Sequence, residues 1–163
     1  HLFPDVALDY QMKALKKSYD VAAIEGCSML IRTKILNRIG LFDEAYGKAY
    51  FEEMDWERRV RAAGEKIYLI PASCVGHFEK GSSLNSMILK QQYKRNEIYF
   101  LLKNPNQHFL KNTLDVLRHI KPKDLRATLD ALSWNARMIF QTYRSWKHDC
   151  NLINKEKPNS FTL

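Results

Sequence analysis

The sequence predicts an α/β fold, with strand-forming segments in its first half and helices in its second. Two observations carry this. Between positions 25 and 77, short apolar runs alternate with helical segments and turn residues. From Asn85 onward the pattern is helical, broken only at Asn104-Pro105 and Lys121-Pro122, where proline and its predecessor resist helix continuation.

The elements follow in order. Glu25-Gly26-Cys27-Ser28-Met29-Leu30-Ile31-Arg32 reads as a strand, and Thr33 is placed to cap a short helix from Lys34 to Ile39. Gly40-Leu41-Phe42-Asp43-Glu44 supplies a turn and loop. The run Tyr50-Phe51-Glu52-Glu53-Met54-Asp55-Trp56 then leads into a helix ending near Gly64, the expected stop. In that helix Trp56, Val60 and Ala63 share an apolar face, and Glu57 with Arg61 forms an i, i+4 pair on the other. Lys66 to Pro71 is a short β-type run closed by proline, and Ser73 to His77 is a second one. The helical part divides into Asn85–Lys103, Asn106–Ile120 and Lys123–Lys147, and the tail after Cys150 reads as frayed. In the last helix Leu125, Leu129, Leu132, Ala136, Ile139, Phe140 and Tyr143 form an apolar stripe, the pattern of tertiary packing or an oligomer interface.

The chemistry-bearing feature is the start of the second helix. Glu52, Glu53 and Asp55 crowd its N-terminus, where the macrodipole favours negative charge. That placement suits a rigidly held, ionised general base, and equally an ordinary acidic helix start.

The succession from Gly26 to Ser83 resembles the acceptor-side half of inverting family-two glycosyltransferases with the GT-A fold, rhamnosyltransferase-like enzymes among them. The shared order is a "G-x-x-x-L-I-R" strand, a "G-x-F-D-E" turn and a "Y-F-E-[DE]-x-D" loop feeding an "R-x-x-x-A-G" helix. An "I-P" strand, a "V-x-H" strand and a "G-S-S" loop at Gly81-Ser82-Ser83 complete it. Arg95-Asn96-Glu97-Ile98-Tyr99-Phe100-Leu101-Leu102-Lys103 is similar to the family's "R-N-x-x-Y-F-x-x-K" helix.

The resemblance implies a partial GT-A (nucleotide-diphospho-sugar transferase) mixed sheet followed by a helical C-terminal subdomain. The expected divisions are 1–84 for the acceptor-side part of the catalytic domain, 85–148 for the helical subdomain and 149–163 for a flexible tail. Glu53 takes the family's catalytic-base position. Glu52, Asp55, Trp56 and Gly26 fall where acceptor-binding residues are expected. Glu52 and Asp55 also serve as cap residues on this reading, and the spacing of Trp56 with Val60 favours core packing. His77 corresponds to a histidine that in some relatives helps hold a divalent cation; a strand-end histidine bonded to backbone is the alternative.

The resemblance also implies a nucleotide-sugar donor, a glycan or lipid-linked acceptor, and a divalent cation (Mg or Mn) held mostly by an N-terminal nucleotide-binding half. No D-x-D motif precedes Gly26, and no G-x-G-x-x-G or P-loop pattern occurs in the chain. The expectation is therefore a part of a longer enzyme, inactive without its donor-binding half.

Composition narrows the setting. The 163 residues, 45% of them hydrophobic, fit one domain with a modest core. The longest apolar run, Ile98 to Leu102, is too short to span a bilayer, and no secretory signal pattern is visible. Cys27, Cys74 and Cys150 show neither zinc spacing nor a disulfide framework, which favours a reducing cytoplasm, with Cys27 and Cys74 as small strand residues.

The formal charge of +8 concentrates in the helical part, at Lys103, Lys111, Arg118, Lys121, Lys123, Arg126, Arg137, Arg144 and Lys147. It suits an anionic membrane surface better than nucleic acid, for which no recognition motif or stacking platform is present. Peripheral attachment to the inner membrane face follows as an expectation. A half-sheet with an unpaired edge makes an oligomer a further one. The rival reading is a non-catalytic basic module that binds an anionic membrane or polymer.

Overall fold

A computed structural model describes residues 17–76, 86–105, 111, 114, 118 and 125–154. They form an α/β arrangement that is mostly helical, with five α-helices and one two-stranded sheet among the described residues. Strand β1 (Tyr19–Asp20) pairs antiparallel with β2 (Tyr68–Leu69), Tyr19 opposite Leu69 and Asp20 opposite Tyr68. Val21 extends the ladder by donating its N–H to the Ile67 carbonyl at 2.8 Å. The "I-P" run thus forms a strand as expected, but β1 lies upstream of every strand the sequence suggests.

The expected strand at Glu25–Arg32 does not form. The chain turns at Gly26-Cys27, then runs on without a ladder partner, and Leu30 stands fully exposed. Residues 73–76 are likewise non-strand, and His77 lies outside the described residues. A strand needs a neighbouring edge to take its backbone donors and acceptors, and no described segment offers these runs one. Cys27 and Cys74 are accordingly exposed, not strand-packed.

Helix α1 (Thr33–Ile39) buries Ile35 and Ile39. Thr33 is its first residue and not its cap; Arg32 occupies that position and makes no side-chain cap bond. Asp43 caps a 3₁₀ turn at Glu44–Tyr46, accepting from the Ala45 N–H at 3.0 Å.

Helix α2 (Glu52–Ala62) ends as its glycine predicts. Gly64 has φ 81°, and its N–H reaches the Arg61 carbonyl while Glu65 reaches Val60, a two-bond C-terminal cap. Trp56 and Val60 pack with Ile35, Ile39 and Ile67 into the apolar core, and Ala63 packs against it. The Glu57–Arg61 pair does not form. Glu57 turns inward and accepts from the Ile24 N–H at 2.9 Å, while Arg61 pairs with Asp20 across to β1.

Three helices complete the structure: α3 (Ser86–Lys103), α4 (Leu125–Arg137) and α5 (Ile139–Asn154). Helix α3 packs against α4 and α5, and α5 also reaches α1 and α2. The expected long helix from Lys123 is thus divided at Met138. It persists to Asn154, past the point where fraying was expected, and 155–163 lie outside the described residues. Lys111, Leu114 and Arg118 are helical, as expected for the middle segment.

The apolar stripe of α4 and α5 faces out. Thr128, Ala131, Asn135, Thr142 and Asp149 face in, because that side carries small residues and hydrogen-bonding groups that α3 can meet. Asn135 Nδ2, for example, donates to the Arg95 carbonyl at 3.0 Å.

Candidate active site

Behind the acidic start of α2 lies a buried ionic cluster built from residues far apart in sequence. Lys103 Nζ, at the end of α3, is 2.8 Å from Asp43 Oδ2, 2.8 Å from Asp55 Oδ2 and 3.0 Å from Asp149 Oδ2. Arg59 Nε adds a second cation, 3.3 Å from Asp55 and 3.7 Å from Asp149. Its two terminal nitrogens donate to the Ile39 and Leu41 carbonyls at 2.9 and 2.7 Å. Tyr99 and Ser145 hydroxyls each donate to Asp43 Oδ2 at 2.9 Å, and Asn104 donates to Asp55 Oδ1 at 3.0 Å.

Burial alone would lower the Lys103 pKa, but the charges of Asp55 and Asp149 and the bonds to Asp43 and Asp55 outweigh it, so the ammonium is held above its ordinary value. Burial works to raise Asp43, yet Lys103 prevails and holds it below the usual carboxylate range. For Asp149 burial wins over Lys103 and Arg59, and its carboxyl is pushed up.

Two of the expected site residues lie in the interior, one in this cluster and one in the apolar core. Asp55, expected to bind acceptor or cap the helix, is fully buried and wholly engaged by Lys103, Arg59 and Asn104. Trp56, the other interior candidate, is core: its indole N–H donates to the Gly40 carbonyl at 2.8 Å and its ring packs beside Phe42. Lys103, counted among the surface charges on sequence, is buried as well.

The loop leading into α2 is strained and heavily braced. Tyr50 and Phe51 both adopt left-handed backbone, φ 71° and 75°. For non-glycine residues this costs on the order of 1–3 kcal/mol each and persists only where the surroundings over-determine it. Here Asn96 Nδ2 lies 2.8 Å from the Tyr46 carbonyl, 2.9 Å from Ala49 and 2.8 Å from Tyr50. Gln92 and Arg95 donate to the Tyr46 carbonyl too, at 3.2 and 2.7 Å. The Phe51 ring meets Tyr93 and Phe100 at centroid distances of 5.1 and 5.6 Å. Gly47 sits at φ 78°, a backbone that favours glycine, and a Cβ there would press to 3.2 Å from the Arg95 guanidinium.

The bracing fixes where the first-turn carboxylates sit. Glu52 and Glu53 are half-buried, and one oxygen of each, Oε2, is shut off from solvent without a hydrogen-bond partner among the described residues. Gly26 lies against Glu53: a Cβ there would stand 3.6 Å from Glu53 Cβ and Cγ. Burial, and then the neighbouring Glu53 charge, push the Glu52 carboxyl up, against the pull of its own backbone N–H. Burial followed by the charges of Glu53 and Glu25 does the same to Glu57, opposed by the Ile24 N–H. Glu53 thus lies against Gly26, with its charge felt by both Glu52 and Glu57.

Among the described residues no three His, Cys, Asp or Glu side chains are placed to hold a metal ion. His77, the residue the resemblance assigns to a divalent cation, and Gly81-Ser82-Ser83 fall outside the described residues. Comparison of the chain with protein-family models, curated proteins and solved structures returned no match.

Sequence reading gave no role to Asp43, Arg59, Asn96, Tyr99 or Lys103, or to the Tyr50-Phe51 strain. A signal was present for part of this. Asn96, Tyr99 and Lys103 recur at i, i+3 and i+7, which puts them on one face of α3. Nothing local marked Asp43 or Asp55 as their partners.

Proposed function

We propose that this chain carries the acceptor side of an inverting GT-A glycosyltransferase, with Glu53 as general base. One observation carries the reading. The residues of three separate motifs, Asp43, Asp55 and the face Arg95-Asn96-Tyr99-Lys103, meet in one braced unit. Every carboxylate in that unit is matched by Lys103 or Arg59, while Glu53, which the unit presents, has no ion pair among the described residues.

In the proposed reaction the acceptor hydroxyl oxygen attacks the anomeric carbon of a nucleotide-activated sugar. The new C–O bond forms as the bond to the diphosphate breaks on the opposite face, and the hydroxyl proton passes to a Glu53 oxygen. The product is inverted at the anomeric centre. Gly26 lies against Glu53 with no side chain of its own, and Glu52, with its raised pKa, offers a proton-sharing contact to a second acceptor hydroxyl. A bound divalent cation would stabilise the leaving diphosphate. Donor recognition belongs to a nucleotide-binding half outside the described residues, and turnover is expected only in a protein that supplies it. A glycan or lipid-linked acceptor at the cytoplasmic membrane face fits the reading, within polysaccharide biosynthesis of the cell envelope. Among the described residues no helix is long and apolar enough to cross a membrane.

The test is a panel of nucleotide sugars offered to the native gene product together with membrane extract from its source. Release of nucleoside diphosphate that depends on the extract, with an inverted linkage by NMR, is expected. Release without an acceptor, or retention of configuration, would sink the mechanism.

A further inference from the structure

The outward face of α4 and α5 is the least explained surface of the molecule. At 100° per residue, Leu125, Leu129, Leu132, Ile139, Phe140 and Tyr143 fall on one stripe. Leu129 is 56% exposed, Phe140 79% and Tyr143 56%. The helical ladder continues across the division at Met138, whose N–H reaches the Trp134 carbonyl at 3.0 Å, while Thr142 reaches back to Met138 at 2.8 Å. The stripe is therefore nearly unbroken, about 30 Å long from Leu125 to Trp146.

Its edge is mostly basic, with Asp130, one turn after Arg126, on the same flank. Arg126, Arg137 and Arg144 follow the same flank of the stripe, and Lys147 lies within its C-terminal end; all four are exposed. Among the described residues of these helices, Asp130 is the one exposed acid, since Asp149 is buried in the ionic cluster. Side chains on the opposite flank point inward.

We infer that this face is a membrane-docking surface that lies in the plane of an anionic lipid leaflet. An apolar stripe with arginines along its edge and Tyr143 and Trp146 near the headgroup level matches what such an interface rewards. The occupant is chosen by charge. A second copy would bring the same basic edge against itself on a chain of net +8, whereas an anionic leaflet satisfies both the stripe and its edge. Asp149 and Ser145 tie the same helix to Lys103 and Asp43, so lipid bound on the outside holds the braced loop of Glu53 at a set height. The docking inference does not depend on the transferase reading.

The test is co-sedimentation of the chain with phosphatidylglycerol/phosphatidylcholine vesicles and with pure phosphatidylcholine vesicles, followed by Trp146 emission in a Trp56→Phe/Trp134→Phe background. Binding to the anionic vesicles with a blue shift is expected. Arg137→Gln/Arg144→Gln should weaken it about thirtyfold. Leu129→Gln/Phe140→Gln should abolish it while far-UV circular dichroism stays native. Lys90→Gln, which removes an exposed charge from α3, should leave it nearly unchanged. Three results would overturn the inference: no binding by folded protein, binding indifferent to the Leu129/Phe140 pair, or self-association that the same pair abolishes in place of vesicle binding.

Discussion

Replacing Lys103 by methionine tests the ionic cluster that braces the candidate site. The ammonium is 1% exposed and has three carboxylates within 3.0 Å. Methionine keeps the unbranched shape of the side chain, one heavy atom shorter, and removes its charge. Arg59 still serves Asp55 and Asp149, and Tyr99 and Ser145 still serve Asp43, so the loss is not of three full pairs. Removing one partner from a buried pair costs about 3–5 kcal/mol, and the upper half of that range is expected here because the orphaned charges also repel one another. For a chain of this size that amounts to about 10 °C or more in Tm.

The assay is urea unfolding followed by tryptophan emission, with the slope checked for constancy. The pH dependence gives a second readout. Lys103 has a raised folded pKa, so its contribution is complete below the ordinary lysine value of 10.5 and is lost as pH rises through the folded value. In the variant that alkaline loss disappears. The deficit should also shrink as pH falls, since Asp149, its pKa raised by burial, takes a proton before an ordinary aspartate does. A deficit under about 1 kcal/mol, or one independent of pH, would refute the reasoning.

Two further outcomes follow from the same geometry. Asn96→Asp should destabilise more than Asn96→Ala, because it sets a carboxylate against the carbonyls of Tyr46, Ala49 and Tyr50; thermal melts of the two variants decide this. Glu57→Gln should stabilise the fold by about 1 kcal/mol at pH 8, since it keeps the acceptor for the Ile24 N–H and removes a buried charge with an unpartnered oxygen. Glu57 has a raised folded pKa, so its charge costs stability above that value and the cost vanishes as pH falls toward the ordinary glutamate value of 4.5. The Glu57→Gln advantage should therefore fade over the same interval in melts run across pH.

What the sequence disclosed was local. Helix α2, its acidic first turn, the Trp56–Val60–Ala63 face and the Gly64 stop all depend on spacing within a few residues, and the structure shows each of them. The strand at β2 and the extent of α3 were legible for the same reason. What was hidden is non-local. Asp55 looked like a first-turn acid because its partner Lys103 lies 48 residues away. Glu25–Arg32 has a strand's composition but no neighbouring edge, and composition does not report neighbours. The stripe on α4 and α5 was read as tertiary packing or an oligomer interface, and the first does not hold among the described residues. Asn135, Ser145 and Asp149 have specific partners on α3 and at the cap of the 3₁₀ turn, and those bonds set the other side of the helices inward.

The central claim is that Glu53 removes the acceptor proton. Its most direct test compares Glu53→Gln with Glu52→Gln in the native gene product, at saturating donor and with donor affinity measured separately. The account predicts that Glu53→Gln lowers kcat by about 10²–10⁴ with donor Kd unchanged, and that Glu52→Gln retains most of the turnover. Transfer by Glu53→Gln at the wild-type rate would contradict it.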